Sequence, residues 1–318
     1  MNRCFALKAV CLLLGEGLLL MTGCATSYKA GARDGAVDVI AHRGASAYAP
    51  ENTMASFRLA AEMGADWFEL DCGPTKDGAV VVIHDNTVDR TTNGQGRIAA
   101  MTLDEVQALD AGAWKGPQFS GARIPTLAEA LDFAHERIGV YIEIKSCGND
   151  PALLARLEAE LPAAPWTAND LAWALVLVEQ SDTADLVLTH DVLALVRERG
   201  MEHQVVVQSF SPVVCLAALA EGPDIRVELL GSDDKDKPEQ WQRFLHWSRV
   251  LAVAGCNISM QSGSQERIDA FHASGKSVAV WTVNDPIDFD RLVQWGVDAI
   301  ITDRPDLCLD VLNRSSDR

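Results

Sequence analysis

The chain has 318 residues, with 27 Lys and Arg against 45 Asp and Glu and a formal charge of −18. So acidic a chain is a poor partner for nucleic acid and is repelled by anionic membranes, so a site for phosphate has to be built locally, from a metal and a few basic side chains. Beyond an N-terminal leader, the roughly 280 remaining residues suit one barrel-sized domain, or at most two domains.

Residues 1–23 read as a lipoprotein signal peptide. Arg3 and Lys8 give a positive start, Ala9 to Met21 is mostly apolar, and Met21-Thr22-Gly23-Cys24 looks like a bacterial lipoprotein processing site. The apolar stretch is short for a membrane span and contains Glu16, which argues against a transmembrane anchor. Cys24 then becomes the lipidated first residue, and residues 24–36 a small, polar, Gly-containing tether. Removing Arg3, Lys8 and Glu16 takes the formal charge from −18 to −19. The expected location is the bacterial cell envelope, at its periplasmic or extracellular face, with the lipid on Cys24 as the sole membrane contact. Of the other cysteines in the mature chain, Cys72, Cys147, Cys215, Cys256 and Cys308 lack metal-like spacing. They read as small buried side chains, with a disulfide left open by an oxidising compartment.

From residue 37 onward, short apolar runs alternate with helical patterns. Candidate strands cover 37–41, 66–71, 80–84, 139–144, 204–208, 225–230, 255–259, 277–283 and 297–302. A (β/α)8 barrel needs eight of these nine. Too few residues separate Asp71 from Val80 for the crossover that a parallel pair requires, whereas Lys76-Asp77-Gly78 suits an antiparallel return. The run 80–84 is therefore expected as a ribbon on the barrel rim, returning His84 roughly level with Glu69 and Leu70. The fold class is α/β, a (β/α)8 TIM barrel over residues 37–313 with a small insertion after the second barrel strand.

That insertion spans about 86–122. Asp89-Arg90-Thr91-Thr92-Asn93-Gly94 and Gly112-Ala113-Trp114-Lys115-Gly116 mark turns, and Thr102-Leu103-Asp104-Glu105 has the form of a capping box. Pro125 to Leu131 reads as a helix start. Residues 150–200 form a long link in which Pro162, Pro165 and the apolar run Leu171–Val178 leave strand and helix both open. His190 and His203 read as surface or helix-end residues.

The chemistry gathers at strand ends. His42 and Arg43 stand where the first strand breaks at Gly44; Glu69 and Asp71 end the second, and Glu143 and Lys145 the next barrel strand. Glu69 and Asp71 are two apart, so in a strand they share a face. Three convergent carboxylates repel one another unless a cation lies between them, and oxygen donors favour Ca²⁺ or Mg²⁺. On spacing alone, a salt-bridge set neutralised by Arg43 and Lys145 explains the pattern equally well.

The blocks His-Arg-Gly with Pro-Glu-Asn-Thr, Glu-Leu-Asp with Thr-Lys-Asp-Gly and Val-Ile-His-Asp, Glu-Ile-Lys, Gln-Ser-Phe, Val-Trp-Thr-Val-Asn-Asp and Ile-Thr-Asp-Arg-Pro run in order from about Val37 to Asp306. Together they resemble the glycerophosphodiester phosphodiesterase family in its bacterial lipoprotein form. The resemblance implies a divalent metal at Glu69, Asp71 and Glu143, and His42 and His84 as general acid and base. It further implies phosphate contacts from Arg43 and Lys145, and an apolar wall at Trp281 facing the glycerol carbons. The implied reaction is metal-dependent hydrolysis of a small glycerophosphodiester to glycerol 3-phosphate and an alcohol. In the family the insertion covers the substrate mouth, which makes Trp114 and Phe119 candidates for its lining. Gln208 and Ser209 are candidates for the rim, and Glu51 either orients the His42 loop or caps the helix after it. The rival readings are a related barrel phosphodiesterase acting on another phospholipid-derived diester, and a non-catalytic lipoprotein that binds a phosphorylated ligand.

Overall fold

The computed structural model describes residues 36–146, 151–162 and 165–314. The expected signal peptide, Cys24 and the tether up to residue 35 lie outside the described residues, as does Cys147. Among the described residues there are nine strands: β1 Asp38–Ala41, β2 Trp67–Pro74, β3 Val80–Val82, β4 Gly139–Ile144, β5 Val205–Ser209, β6 Arg226–Gly231, β7 Gly255–Ser259, β8 Ser277–Trp281 and β9 Ala299–Thr302. Eight of them pair in parallel, and β1 bonds to both β2 and β9, so the sheet closes on itself as a (β/α)8 TIM barrel. The ninth, β3, runs antiparallel to the far end of β2, with Cys72 opposite Val82. Ile83 donates its backbone N–H to the carbonyl of Asp71 at 2.9 Å, which carries His84 back to the level of Leu70.

The helices are α1 Met54–Met63, α2 Leu103–Gln107, α3 Leu127–Ala134, α4 Pro151–Glu160, α5 Ala168–Glu179, α6 Ala184–Arg197, α7 Pro212–Glu221, α8 Pro238–Val250, α9 Gln265–Ala273, α10 Pro286–Gln294 and α11 Pro305–Val311. Their starts are written locally. Thr53, Thr102, Thr126 and Thr167 each accept a backbone N–H of the following turn, and in α2 and α3 a glutamate at the third helical position returns the bond. The run Leu171–Val178 is part of α5, and among the described residues of the long link there are helices α4 to α6 and no added strand.

Two cores follow from the closed sheet. The outward strand faces pack on the helices around residues such as Phe57, Phe68, Leu131, Ile142 and Trp247. Inside the barrel, Ile40, Trp67, Tyr141, Val206, Ala279, Ala299 and Ile301 fill one end. Toward the C-terminal ends of the strands the filling turns polar, and there the two-residue alternation brings Glu69, Asp71, Glu143 and Gln208 inward. A third, smaller core of Val81, Ile83, Val88, Ile98, Val106, Ala111 and Ile124 lies under the hairpin and the insertion. Cys72, Cys215, Cys256 and Cys308 are buried.

Candidate active site

The loop after β1 places the first pair of residues. Arg43 and Gly44 both take positive φ, 55° and 78°, and a Cβ on Gly44 would stand 2.6 Å from the backbone carbon of Ser56. This turn demands glycine and points the two side chains before it in different directions. His42 passes Nδ1 to the Asp303 carboxylate at 2.7 Å; Ser46 donates to the same oxygen at 2.9 Å and Asn284 to the other at 2.7 Å. Burial alone would raise Asp303, but the His42 contact and these donors hold it down at about 2. Arg43 donates its backbone N–H to Glu69 at 2.9 Å and Nη1 to Glu51 at 2.8 Å, and its Nε lies 3.3 Å from Asp71. Glu51 therefore holds Arg43, and the helix cap falls to Thr53.

Strands β2 and β4 supply the carboxylates. Asp71 and Glu143 are directly paired in register, and Glu69 sits two residues earlier on the same face. One oxygen from each of Glu69, Asp71 and Glu143 can be chosen so that all three lie within 4.8 Å of one another, with the three residues buried. Asn52 donates to Asp71 at 2.8 Å, and Lys145 lies 3.0 Å from Asp71 and 2.7 Å from Glu143. Burial pushes all three acids up. In Asp71 the nearby Lys145 and Arg43 outweigh it and leave the carboxyl well below its usual range. Glu69 is raised by burial and by the charges of Asp71 and Glu143, and Glu143 is pushed up to about 7 by burial and Asp71 against the pull of Lys145. Two cations thus face three carboxylates, and the remaining strain falls on the two glutamates. A hard divalent ion with oxygen preference fits such a donor set.

The hairpin delivers the second histidine. His84 holds Asp85 through Nδ1 at 2.7 Å. Burial lowers its pKa, and the charges of Lys145 and Arg43 add to this, against the opposing effects of Asp71 and Asp85. His42, Arg43, Glu69, His84, Glu143, Lys145 and Gln208 line one cavity of about 280 Å³, walled on its apolar side by Phe210, Leu230, Trp281 and Ile301. Trp281 is anchored by its Nε1, which donates to the Asn257 carbonyl at 3.1 Å, and meets Phe210 edge to face with ring centres 5.6 Å apart. A broader depression beyond His42 includes Trp114 and Lys115 of the insertion.

The model of the glycerophosphoryl diester phosphodiesterase family matches residues 42–307. The chain belongs to this family. A glycerophosphodiester phosphodiesterase of Caldanaerobacter subterraneus subsp. tengcongensis is 33% identical over 279 residues, which cover 87% of this chain and 98% of that protein. Among solved structures, a phosphodiesterase of Oleispira antarctica in complex with the product sn-glycerol-3-phosphate superposes with a TM-score of 0.68 at 26% identity, over 87% of this chain and 96% of that one. A glycerophosphodiester phosphodiesterase of Agrobacterium tumefaciens gives 0.61 at 31% identity, over 86% and 100% of the two chains.

Seen as a glycerophosphoryl diester phosphodiesterase family member, the chain brings together the residues expected to carry the chemistry: His42, Arg43, Glu69, Asp71, His84, Glu143, Lys145 and Trp281. Gln208 reaches it as well, with Nε2 3.5 Å from Glu69. Ser209 does not, because its hydroxyl is buried against the Ile144 carbonyl. Phe119 is half-buried on a single turn and is not among the residues lining these cavities. Asn52, Asp85 and Asp303 carry site contacts that no sequence expectation assigned to them. All three stand inside the quoted blocks, and the His84-Asp85 neighbourhood was visible as such. His190 and His203 are exposed, away from the site.

Proposed function

We propose that the protein hydrolyses glycerophosphodiesters to glycerol 3-phosphate and an alcohol, in a reaction that depends on Ca²⁺ or Mg²⁺ held by Glu69, Asp71 and Glu143. The observation that carries this reading is the pair of histidines. Each has Nδ1 taken by its own carboxylate and each lines the same cavity over the buried acids, so Nε2 is the nitrogen left to each for substrate. A bound divalent ion would supply positive charge against the phosphoryl oxygens.

The side chains supply the rest. Arg43 and Lys145 are both held above their ordinary values by the surrounding carboxylates, so both stay cationic and can offset charge developing on the phosphoryl group. One histidine takes a proton from the nucleophile and the other returns one to the departing alcohol; the lowered pKa of His84 favours the accepting role for it. The nucleophile is either the glycerol hydroxyl next to the phosphate, giving a cyclic phosphate that water then opens, or water itself. Trp281 and Phe210 offer an apolar wall to the glycerol carbons.

The test uses a soluble form lacking residues 1–23, with Cys24 replaced. Glycerol 3-phosphate release from glycerophosphocholine is measured after chelation, then after adding back Ca²⁺ or Mg²⁺. Activity lost with chelator and restored by one ion is expected. Activity indifferent to chelator would make the three acids a salt-bridge network, and no activity with either ion would turn the search to other diesters and then to the binding-protein reading. Phosphorus NMR of the reaction distinguishes a transient cyclic phosphate from direct hydrolysis.

We also propose export and anchoring through Cys24, on the strength of the apolar stretch ending in Met21-Thr22-Gly23-Cys24. Among the described residues, no helix is long and apolar enough to cross a membrane. Mass spectrometry of the mature N-terminus should find an acylated Cys24; an unprocessed Met1 would overturn the anchor.

A further inference from the structure

We propose that Arg90 is a positioning residue for this reaction, whose guanidinium fixes Arg43 and His84 relative to one another across the site. The proposal rests on the hydrolytic reading above.

Arg43 arrives on the loop after β1 and His84 on the loop after β3, and no backbone pairing joins those two loops directly. The partner of each is a carboxylate: Glu51 holds Arg43, and Asp85 holds His84. Two such carboxylates brought together would repel. Arg90 lies between them and uses both edges of its fork. Nη1 donates to Oε2 of Glu51 and Nη2 to Oε1, each at 2.8 Å; Nε donates to Oδ2 of Asp85 at 2.7 Å and Nη2 to Oδ1 at 3.3 Å. The result is an unbroken chain of charge-assisted contacts from Arg43 through Glu51, Arg90 and Asp85 to His84. Two-edged recognition is available to arginine and not to lysine, whose single ammonium is a point charge.

The turn that carries Arg90 is itself fixed. Thr92 Oγ1 donates to the Val88 carbonyl at 2.7 Å and accepts from Gly94 N–H at 3.0 Å, while Asp89 accepts the Gly96 N–H at 2.7 Å. Val88 beside it is fully buried in the small core under the insertion. The fork is thus presented by a braced loop. The Arg90 side chain is nearly half exposed, so its removal leaves no cavity in the barrel. The same contact lowers Asp85 to about 2, so that the partner of His84 stays ionised.

The experiment compares Arg90→Met and Arg90→Lys with the wild type in the full soluble form, with metal at saturation. For both variants we expect kcat to fall about tenfold or more, with a several-fold rise in KM and metal affinity within about twofold of wild type, because the acids themselves are untouched. Adding Asp85→Asn to Arg90→Met should cost little more than the worse single change, since both act through the same histidine. The ring nitrogen resonances of His84 should move in both Arg90 variants. Lysine restoring wild-type kcat with His84 signals unmoved, or fully additive losses in the double variant, would overturn the proposal. A wild type that releases no glycerol 3-phosphate is instead a failure of the hydrolytic reading. The His84 signals then decide on their own: movement on Arg90→Lys supports the fork, and no movement overturns it.

Discussion

At the scale of single residues, the two histidines are distinguished by what holds them. An imidazole ready for proton transfer needs its orientation and tautomer fixed from behind. His42 gets this from Asp303, which is itself held by Ser46 and Asn284, and His84 gets it from Asp85. Asp303→Asn keeps the shape and removes the charge. We expect it to lower kcat by about ten- to a thousandfold, short of or equal to the loss from His42→Ala, while metal binding is unchanged. Steady-state kinetics beside a metal titration checks this; a normal kcat in Asp303→Asn would remove His42 from proton transfer. The sequence could name His42 but not its partner. The two residues of that hydrogen bond stand 261 positions apart, and nothing local to either says which of the chain's 45 acidic residues will meet the ring.

At the scale of elements, most of the fold was legible because parallel barrel strands are buried on both faces and read as short apolar runs. The short gap between Asp71 and Val80 was decisive, since it excluded a crossover, turned β3 into a hairpin arm and put His84 opposite the acids. The segment from 150 to 200 was not legible for a physical reason. In α5 apolar residues occur all round the helix, with Trp173 and Val176 exposed while Ala174, Leu177 and Val178 are buried, so no clean 3.6-residue stripe separates helix from strand. The insertion carries a prediction of its own. It rests on a small core separate from the barrel's, and that core includes Ile83, the residue before His84. Ile98→Ala should cost about 2–4 kcal/mol locally and disturb the hairpin's support. The expected signature is a clear loss of kcat with rapid amide exchange through 86–122 and little change in the main unfolding transition. Ile142→Ala, in the barrel's outer core, should instead lower Tm by several degrees. If Ile98→Ala lowered Tm and spared kcat, the insertion would be bracing the barrel and not the site.

At the scale of the whole molecule, the acid centre ties stability to metal and to pH. Without an ion, Glu69 and Glu143 are raised above the usual carboxylate value, chiefly by burial and then by neighbouring acids. The folded chain therefore holds protons there that the unfolded chain has released. The stability linked to these groups is present below about pH 4.5 and is lost as pH rises through the folded value, about 7 for Glu143. In chelator, the Tm difference between Glu143→Gln and wild type should therefore shift toward the variant between pH 5 and pH 8; comparing the two proteins cancels the other titrating groups. A divalent ion reverses the balance, because it competes with protons for the same oxygens. Its affinity should weaken from pH 8 to pH 6, with protons released on binding, which calorimetry in buffers of different ionisation enthalpy would count. At a hundredfold excess over Kd the ion should stabilise the fold by about 2.7 kcal/mol, a rise of roughly 5–10 °C for a chain of this size. Glu143→Gln should lose most of that rise. A wild-type Tm indifferent to both ions would mean that Arg43 and Lys145 already satisfy the three acids, and the barrel would be held together by its ion pairs.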